Sequence, residues 1–173
     1  MNGRARCLAA ALGWLLLGEV SAAGLAGPAL RVPDREYPLT ECFGQAARTY
    51  EISVELLWAI ARVESNLNPA ATGYNKNGTR DLGLMQINSS HLPRLSAQAI
   101  TAQRLLSETC LNVHVGAWIL RENLDRYGPT WEAVGAYNAS ERRRDLRLDY
   151  ARKVHRKLQE LITYRHRARG VNG

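Results

Sequence analysis

Apolar residues recur at helical spacing between residues 39 and 64, which predicts two consecutive helices there. Thr40 is a candidate cap for the first helix, and Ser53 is a candidate cap for the second, which should end at about Glu64. Both helices should therefore pack on a common core. The inward-facing positions of the first helix are Phe43, Ala46, Ala47 and Tyr50.

The C-terminal half of the chain shows the same periodicity in further segments. We expect helices at about 101–107, 109–127 and 145–164. A Gly-Pro pair at 128–129 should end the long helix, and Thr130 should cap a short helix that follows. The apolar stripe of the last helix consists of Leu146, Tyr150, Val154, Leu158 and Leu161.

Between residues 66 and 81 the composition changes to turn-forming residues, and Asn75-Lys76-Asn77-Gly78 is typical of a turn. This segment should form a loop or a short hairpin. No long strand is predicted anywhere in the sequence. A chain of 173 residues suits one domain. The predicted fold is therefore a mainly α single domain with a minor hairpin or loop lobe.

The N-terminus has the features of a secretory signal peptide. Arg4 and Arg6 precede the apolar stretch Cys7–Leu17, and small residues follow at 21–23, so we predict a signal peptide at 1–23. The stretch is shorter than the roughly 20 apolar residues that a spanning helix needs, and no other segment approaches that length. We expect export to the periplasm without a permanent membrane span, with a retained anchor as the alternative.

The rest of the chain divides into three predicted parts. Residues 24–38 contain Gly and Pro and should form an extended lead-in, residues 39–164 the folded domain, and residues 165–173 a basic tail. The net charge is +7, and residues 141–173 hold eleven of the 23 Lys and Arg. This end of the chain should be drawn to anionic surfaces. Nucleic acid is the less favoured partner, because an exported protein seldom meets it.

Two cysteines, Cys42 and Cys110, remain after removal of the predicted signal peptide. An even pair in an exported chain predicts a disulfide, with two free buried thiols as the alternative. No histidine cluster accompanies these cysteines, so we predict no metal site and no cofactor.

Three short motifs follow one another along the chain: Glu64-Ser65, the Gly-Leu-Met-Gln-Ile-Asn segment at 83–88, and Ala136-Tyr137-Asn138. In this order they resemble the lytic transglycosylases of the goose-type lysozyme superfamily. The resemblance runs from about Cys42 to about Ala139 and is closest to small single-domain members associated with secretion, conjugation or pilus systems. It implies a lysozyme-like fold and cleavage of the MurNAc-GlcNAc β-1,4 bond of peptidoglycan with formation of 1,6-anhydro-MurNAc.

Glu64 is the predicted catalytic residue. It ends an apolar helical run, where a carboxyl group should lie half buried beside a cleft. Loss of solvation disfavours the charged form, so the pKa of Glu64 should rise and keep the group protonated as a general acid near neutral pH. The resemblance implies that the same group then acts as a base on the C6 hydroxyl of the muramic acid, and that Ser65 supports it.

The segment 83–88 should line a sugar groove. Gly83 has no Cβ and should let the chain approach that groove closely. In a short extended segment, the amides of Gln86 and Asn88 would face one way and the side chain of Met85 the other. Gln86 is then the better sugar contact, and Asn88 has loop backbone as its alternative partner. The resemblance places Met85 under a sugar ring, with an ordinary core position as the alternative.

Three further residues complete the predicted site. The hydroxyl group of Tyr137 can donate to Glu64 once that group is ionised, with a core position as the alternative. Asn138 fits as a ligand of the substrate amide. Asp81 is the one acidic residue close to the second motif and is a candidate second carboxylate, with a loop-structuring Asx turn as the alternative.

One feature departs from the family pattern. Many relatives place a glycine after Ala139, whereas this chain has Ser140 and then the charged run 141–144, which should alter the edge of the groove. The predicted function is local opening of the peptidoglycan wall around an envelope-spanning secretion, conjugation or pilus apparatus, one component of which is the expected protein partner. A hydrolytic muramidase and a non-catalytic peptidoglycan-binding module are the alternatives.

Overall fold

The computed structural model describes residues 28–170, so the predicted signal peptide lies outside the described residues. Within this range the chain forms seven α-helices and a small three-stranded antiparallel sheet, which confirms the mainly α prediction. The helices are α1 Leu39–Tyr50, α2 Val54–Ser65, α3 Leu92–Leu95, α4 Ala102–Ser107, α5 Thr109–Tyr127, α6 Trp131–Ala136 and α7 Arg144–Gly170. The strands are β1 Thr72–Tyr74, β2 Arg80–Leu82 and β3 Ile87–Asn88, and 3₁₀ turns span Ser89–His91 and Ser96–Gln98.

Two of the predicted helix caps are present, and one is wrong. Ser53 Oγ accepts a hydrogen bond from the backbone of Leu56 at 3.3 Å, and Thr130 caps α6 in the same way. Thr40 caps nothing, because α1 begins at Leu39 and Thr40 lies inside its first turn. The cap position belongs to Pro38, whose carbonyl accepts from the first backbone N–H groups of the helix.

Helix α7 is longer than predicted. It continues past Tyr164 to Gly170, so residues 165–170, expected as part of a basic tail, extend the helix. No proline or glycine interrupts this segment before its last residue, and arginine is a good helix former. Arg165 also pairs with Glu55 at the start of α2, which holds the extension against the domain.

The core is built around α5, whose residues 110–117 are buried. Helix α1 packs on one side of α5, and α2 packs against α7. Residues 28–38 contain no helix or strand and run along this body, where Trp118 donates to the carbonyl of Pro28 at 2.8 Å. The predicted disulfide is confirmed, since Cys42 of α1 and Cys110 of α5 are bonded with their Cα atoms 5.2 Å apart.

The sheet forms a small lobe beside the helices. Strands β1 and β2 pair antiparallel, so the segment predicted as a loop or a short hairpin forms a hairpin with its turn at residues 75–79. Strand β3 adds to the far edge of β2. The predicted extended segment is wrong at its start. Gln86 has a left-handed backbone (φ 48°), and its N–H bonds to Gly83 at 3.0 Å, so residues 83–86 form a turn before β3. Among the described helices, none combines the length and apolar character needed to cross a bilayer.

Candidate active site

A groove of about 560 Å³ lies between the helical body and the sheet lobe. We call it the main groove. The end of α2 and the segment after α6 form its helical wall, and β2, β3 and the hairpin turn form its hairpin wall. Six of the predicted site residues line the main groove. They are Glu64, Asp81, Gln86, Asn88, Tyr137 and Asn138.

Glu64 lies one residue before the end of α2 and is half-buried in the helical wall. The apolar face of α2 turns inward, and Asn66 ends the helix in a left-handed conformation, so the carboxyl group is left at the junction of core and groove. Burial raises the pKa of Glu64 to about 7; a hydrogen bond from Tyr150 opposes this rise and the negative charge of Asp81 adds to it. A carboxyl group with this pKa can carry or release a proton near neutral pH.

The hydroxyl group that contacts Glu64 belongs to Tyr150 of α7. We expected Tyr137 in this position, but its hydroxyl donates instead to the carbonyl of Met85 at 3.0 Å. The two tyrosine rings stack with their centroids 6.4 Å apart. Burial raises the pKa of both tyrosines well above 10, so each hydroxyl keeps its proton and acts as a donor. Helical periodicity predicts that Tyr150 faces the core from α7. A buried tyrosine hydroxyl usually has a hydrogen-bond partner, and this was the one sign in the sequence of its contact with another residue.

The turn at residues 83–86 is fastened to the core by Asn112, which is 1% exposed. The Asn112 amide donates to the carbonyls of Leu82 and Leu105 and accepts from the N–H of Met85 at 2.7 Å. Gly83 is required here because its φ is 73° and a Cβ atom would lie 2.4 Å from the Asn112 amide nitrogen. The hydrogen bonds of Asn112 and the close contact at Gly83 therefore fix the turn against α5.

Ser65 joins the end of α2 to this turn. Its Oγ donates to the carbonyl of Leu84 at 2.7 Å and accepts from the N–H of Asn68 at 3.1 Å. Because Ser65 follows Glu64 directly, this contact holds the end of α2 that carries Glu64 against the turn. Its supporting role acts through the backbone, and its hydroxyl makes no hydrogen bond to Glu64 among the described contacts.

The structure separates Met85 from Gln86. Met85 is fully buried, lies against Gly116 of α5 and is absent from the groove lining, in keeping with the core alternative. Gln86 lines the main groove and donates to the carbonyls of Gly83 at 2.7 Å and Ala71 at 3.2 Å. Its Oε1 accepts no hydrogen bond from residues 28–170 and is the atom left for a ligand.

Asp81 and Asn88 organise the hairpin wall. The Asp81 carboxylate accepts hydrogen bonds from the amides of Asn75 at 2.9 Å and Asn88 at 2.7 Å. The Asn88 amide also donates to Thr79, and its Oδ1 accepts from the N–H of Ser90. Asp81 therefore braces the hairpin through side-chain amides while its carboxylate still faces the groove that holds Glu64.

Sequence reasoning missed His91, which lines the main groove next to the exposed Asn138. Burial, followed by the positive charge of Arg94, lowers the pKa of His91 to about 4, so the imidazole is neutral near pH 7. Its Nδ1 accepts from Arg94 Nε at 3.2 Å, which leaves the proton on Nε2 as a donor. The hydrophobic pattern alone contains no sign of this environment.

One group of three potential metal ligands lies close together in the described part of the chain: Glu36, Cys42 and Cys110. The disulfide uses both sulfur atoms, and Glu36 accepts from the backbone N–H of Cys110 at 3.1 Å. These groups are therefore occupied by structural contacts.

Comparisons with known proteins found one family model and several similar proteins. The family model described as transglycosylase SLT domain matches residues 41–159. Invasion protein IagB of Salmonella typhi is 48% identical over 126 residues, which are 70% of this chain and 79% of that protein. Protein IpgF of Shigella flexneri is 43% identical over 119 residues, 68% of this chain and 78% of that protein. The X polypeptide of Escherichia coli is 41% identical over 121 residues, 68% and 72% of the two chains.

A solved structure is similar in fold. It is an inactive mutant of the lytic transglycosylase Slt from Pseudomonas aeruginosa, with a TM-score of 0.56 and 21% identity. The match covers 70% of this chain and 24% of that chain. This likeness confirms the predicted lysozyme-like fold class.

Proposed function

The chain belongs to the transglycosylase SLT domain family, and from this premise we propose that it cleaves MurNAc-GlcNAc β-1,4 bonds of peptidoglycan and closes a 1,6-anhydro ring on the muramic acid. The observation that carries the proposal is the environment of Glu64. This carboxyl group lines the main groove, is half-buried, and has a pKa raised to about 7. It is therefore poised to give up a proton and then to take one back.

The proposed reaction uses Glu64 twice. In the first step its proton goes to the glycosidic oxygen, the bond from that oxygen to C1 breaks, and the GlcNAc leaves as an alcohol. The resulting carboxylate, held by the hydroxyl of Tyr150, then removes the proton from the C6 hydroxyl of the same muramic acid. The C6 oxygen bonds to C1, and Glu64 regains its proton without consumption of water.

The remaining groove residues position the sugar. Gln86 Oε1, the exposed amide of Asn138 and the Nε2–H of His91 offer hydrogen-bonding groups of both kinds along the groove. The turn fixed by Gly83, Ser65 and Tyr137 keeps these groups in register with Glu64. Tyr137 thus acts through the backbone of the turn.

Hydrolysis is the second candidate, and one observation favours it. Asp81 lies in the same groove, and its negative charge acts on Glu64. A second carboxylate could hold the cationic sugar or direct a water molecule to it. We favour transglycosylation because the Asp81 carboxylate is already engaged by two side-chain amides.

We further propose that the protein is exported and acts in the periplasm, where it opens the wall locally for an envelope-spanning apparatus. IagB, one of the relatives, is named as an invasion protein. The positively charged α7 offers a surface for a partner in such an apparatus. Affinity capture with wild-type protein and a variant lacking residues 165–173 tests this surface.

Digestion of purified sacculi tests the reaction. Mass spectrometry of the products should show anhydro-muropeptides, which are lighter by one water than the products of hydrolysis. Glu64→Gln should release either product about a thousandfold more slowly, since an amide cannot donate the proton. Reducing-end products from the wild-type protein would favour a hydrolase. Undiminished turnover by Glu64→Gln would mean that Glu64 is misassigned.

A further inference from the structure

The main groove continues beyond Asn138 into a second cavity. This cavity, of about 720 Å³, shares His91, Tyr137 and Asn138 with the main groove as a common wall. Its far side is formed by the loop 139–142 and by residues near the end of α5. We call it the arginine cavity, after its lining residues Arg126, Arg142 and Arg147. A ligand that passes Glu64 can therefore reach it without leaving the protein surface.

The loop that borders the arginine cavity is held by a buried side chain. Arg147 of α7 is 4% exposed, and its Nε donates to the carbonyls of Ala139 at 2.9 Å and Ser140 at 3.1 Å. Its guanidinium also donates to the hydroxyl of Tyr127 at 3.3 Å. A buried guanidinium with these partners fixes where the loop 139–142 runs. The cavity is thus part of the folded domain.

The charges in this cavity are unequal. Three arginines face one carboxylate, Glu141, which pairs with Arg126 at 2.7 Å and accepts from the hydroxyl of Tyr127 at 2.6 Å. The Tyr127 hydrogen bond, followed by the charge of Arg126, lowers the pKa of Glu141, so this group is ionised. Arg142 is exposed and has no partner within residues 28–170. One guanidinium in the cavity is therefore left for an anion from outside.

The natural anion in a peptidoglycan strand lies on the muramic acid. Its lactyl group carries a short stem peptide that ends in free carboxylates, whereas the sugar rings themselves are uncharged. A strand bound across Glu64 therefore projects carboxylates from the side of the sugar chain. A guanidinium suits such a group because its donors match a carboxylate in geometry and charge.

We propose that the arginine cavity is a subsite for the stem peptide, in which Arg142 binds a peptide carboxylate and makes the enzyme prefer peptide-bearing over peptide-free strands. This inference rests on the proposed function, since it takes the strand to lie in the main groove. Asn138 and His91 lie on the wall that the two cavities share, where a bound strand would direct its lactyl branch from the main groove into the arginine cavity. The run at 141–144, which departs from the family pattern, thereby gains a role in choosing the substrate.

Binding measurements in a Glu64→Gln background test this proposal without turnover. Calorimetry would compare soluble glycan strands that carry stem peptides with strands from which an amidase has removed them. Peptide-free strands keep the lactyl carboxylate, so the comparison isolates the carboxylates of the peptide. Arg142→Ala should weaken binding of the peptide-bearing strand by about two- to fivefold, the range of an exposed ion pair, and should reduce the preference accordingly. Higher salt should shrink the same preference.

Arg152→Ala is the matched control. Arg152 is an exposed arginine of α7 that lines neither cavity, so its loss should leave the preference unchanged. Equal affinity of both strands for the Glu64→Gln protein, or an equal loss on both strands in the Arg142→Ala variant, would overturn the subsite. Anhydro products without a preference for peptide-bearing strands would contradict the subsite but support the proposed reaction. A preference that depends on Arg142, without anhydro products from the wild-type protein, would support the subsite but contradict the proposed reaction.

Discussion

The two walls of the main groove each present a carboxyl group, and the two groups have opposite surroundings. Glu64 on the helical wall is half-buried at the end of a core helix and contacts one tyrosine hydroxyl. Asp81 on the hairpin wall accepts from two side-chain amides in a small, partly exposed sheet. Burial raises the pKa of Glu64 to about 7, and the charge of Asp81 adds to that rise.

The difference in their surroundings indicates different roles for Glu64 and Asp81, although both side chains carry a carboxyl group. The proposed reaction needs a proton donor that holds its proton until substrate arrives, and desolvation favours the protonated form of Glu64. Asp81 braces the hairpin and supplies negative charge from across the groove. The environment that each wall creates decides the role of its carboxyl group, as in other enzymes that use paired acids.

The largest difference between Glu64 and Asp81 should appear when each carboxyl group is replaced by the corresponding amide. Glu64→Gln should lower kcat on sacculi by about a thousandfold, because general acid catalysis is lost. Asp81→Asn should lower it by no more than about tenfold, because the hairpin loses one of the two hydrogen bonds to the carboxylate while Glu64 remains. The rates of release of soluble muropeptides decide. A larger loss for Asp81→Asn would reverse the assignment and favour the hydrolytic mechanism.

The supports of the turn at 83–86 and of the hairpin should also differ in strength. Asn112→Ala removes the buried hydrogen bonds to the carbonyls of Leu82 and Leu105 and to the N–H of Met85, so we expect a loss of about 3 kcal/mol in the free energy of unfolding. Asn75→Ala removes exposed hydrogen bonds of the hairpin and should cost less than about 1 kcal/mol. Urea denaturation measures both. Similar losses for the two variants would show that the turn is no better anchored than the hairpin.

The buried state of Glu64 should appear in the pH dependence of stability. Its pKa is higher in the folded protein than in the unfolded chain, so its contribution is present below about pH 4 and is lost as pH rises through 7. Glu64→Gln has no such loss. The variant should therefore gain about 3 kcal/mol on wild type between pH 4 and pH 8.5 in urea denaturation. A stability difference that is the same at both pH values would mean that Glu64 is well solvated.

The two tyrosines of the helical wall allow a finer test. The hydrogen bond from Tyr150 lowers the pKa of Glu64, so Tyr150→Phe should move the alkaline limb of the kcat/KM profile to higher pH and reduce kcat by about tenfold. Tyr137→Phe loses only its bond to the Met85 carbonyl and should leave that limb in place. A shift with Tyr137→Phe alone would restore the role that the sequence predicted for it.

Much of the helical wall could be predicted from the sequence because its cause is local. Apolar spacing and the Ser53 cap define α2, and the end of that helix places Glu64 at the edge of the core. The turn residues at 75–78 likewise predict the hairpin. These features depend on neighbours within a few positions, so periodicity and turn chemistry suffice.

The partners of Glu64 could not be predicted in the same way. Tyr150 is 86 residues away along the chain, and helical periodicity says only that it turns inward. The sequence does not distinguish Asn112 from other polar residues of α5. Its role depends on the carbonyls of Leu82 and Leu105, which only the folded chain brings to its amide. The positive φ of Gln86 breaks an apparent alternation that the sequence favours. Such features arise from tertiary packing, which overrides local pattern.

The central claim is that shelter in the helical wall keeps Glu64 protonated near neutral pH. A direct titration of its side-chain carboxyl by carbon NMR tests this, with Glu64→Gln identifying the resonance by its disappearance. We predict a pKa of about 7 in the free enzyme. A value close to 4, as for a solvated glutamate, would contradict the account, because the group would then be a carboxylate when the substrate arrives.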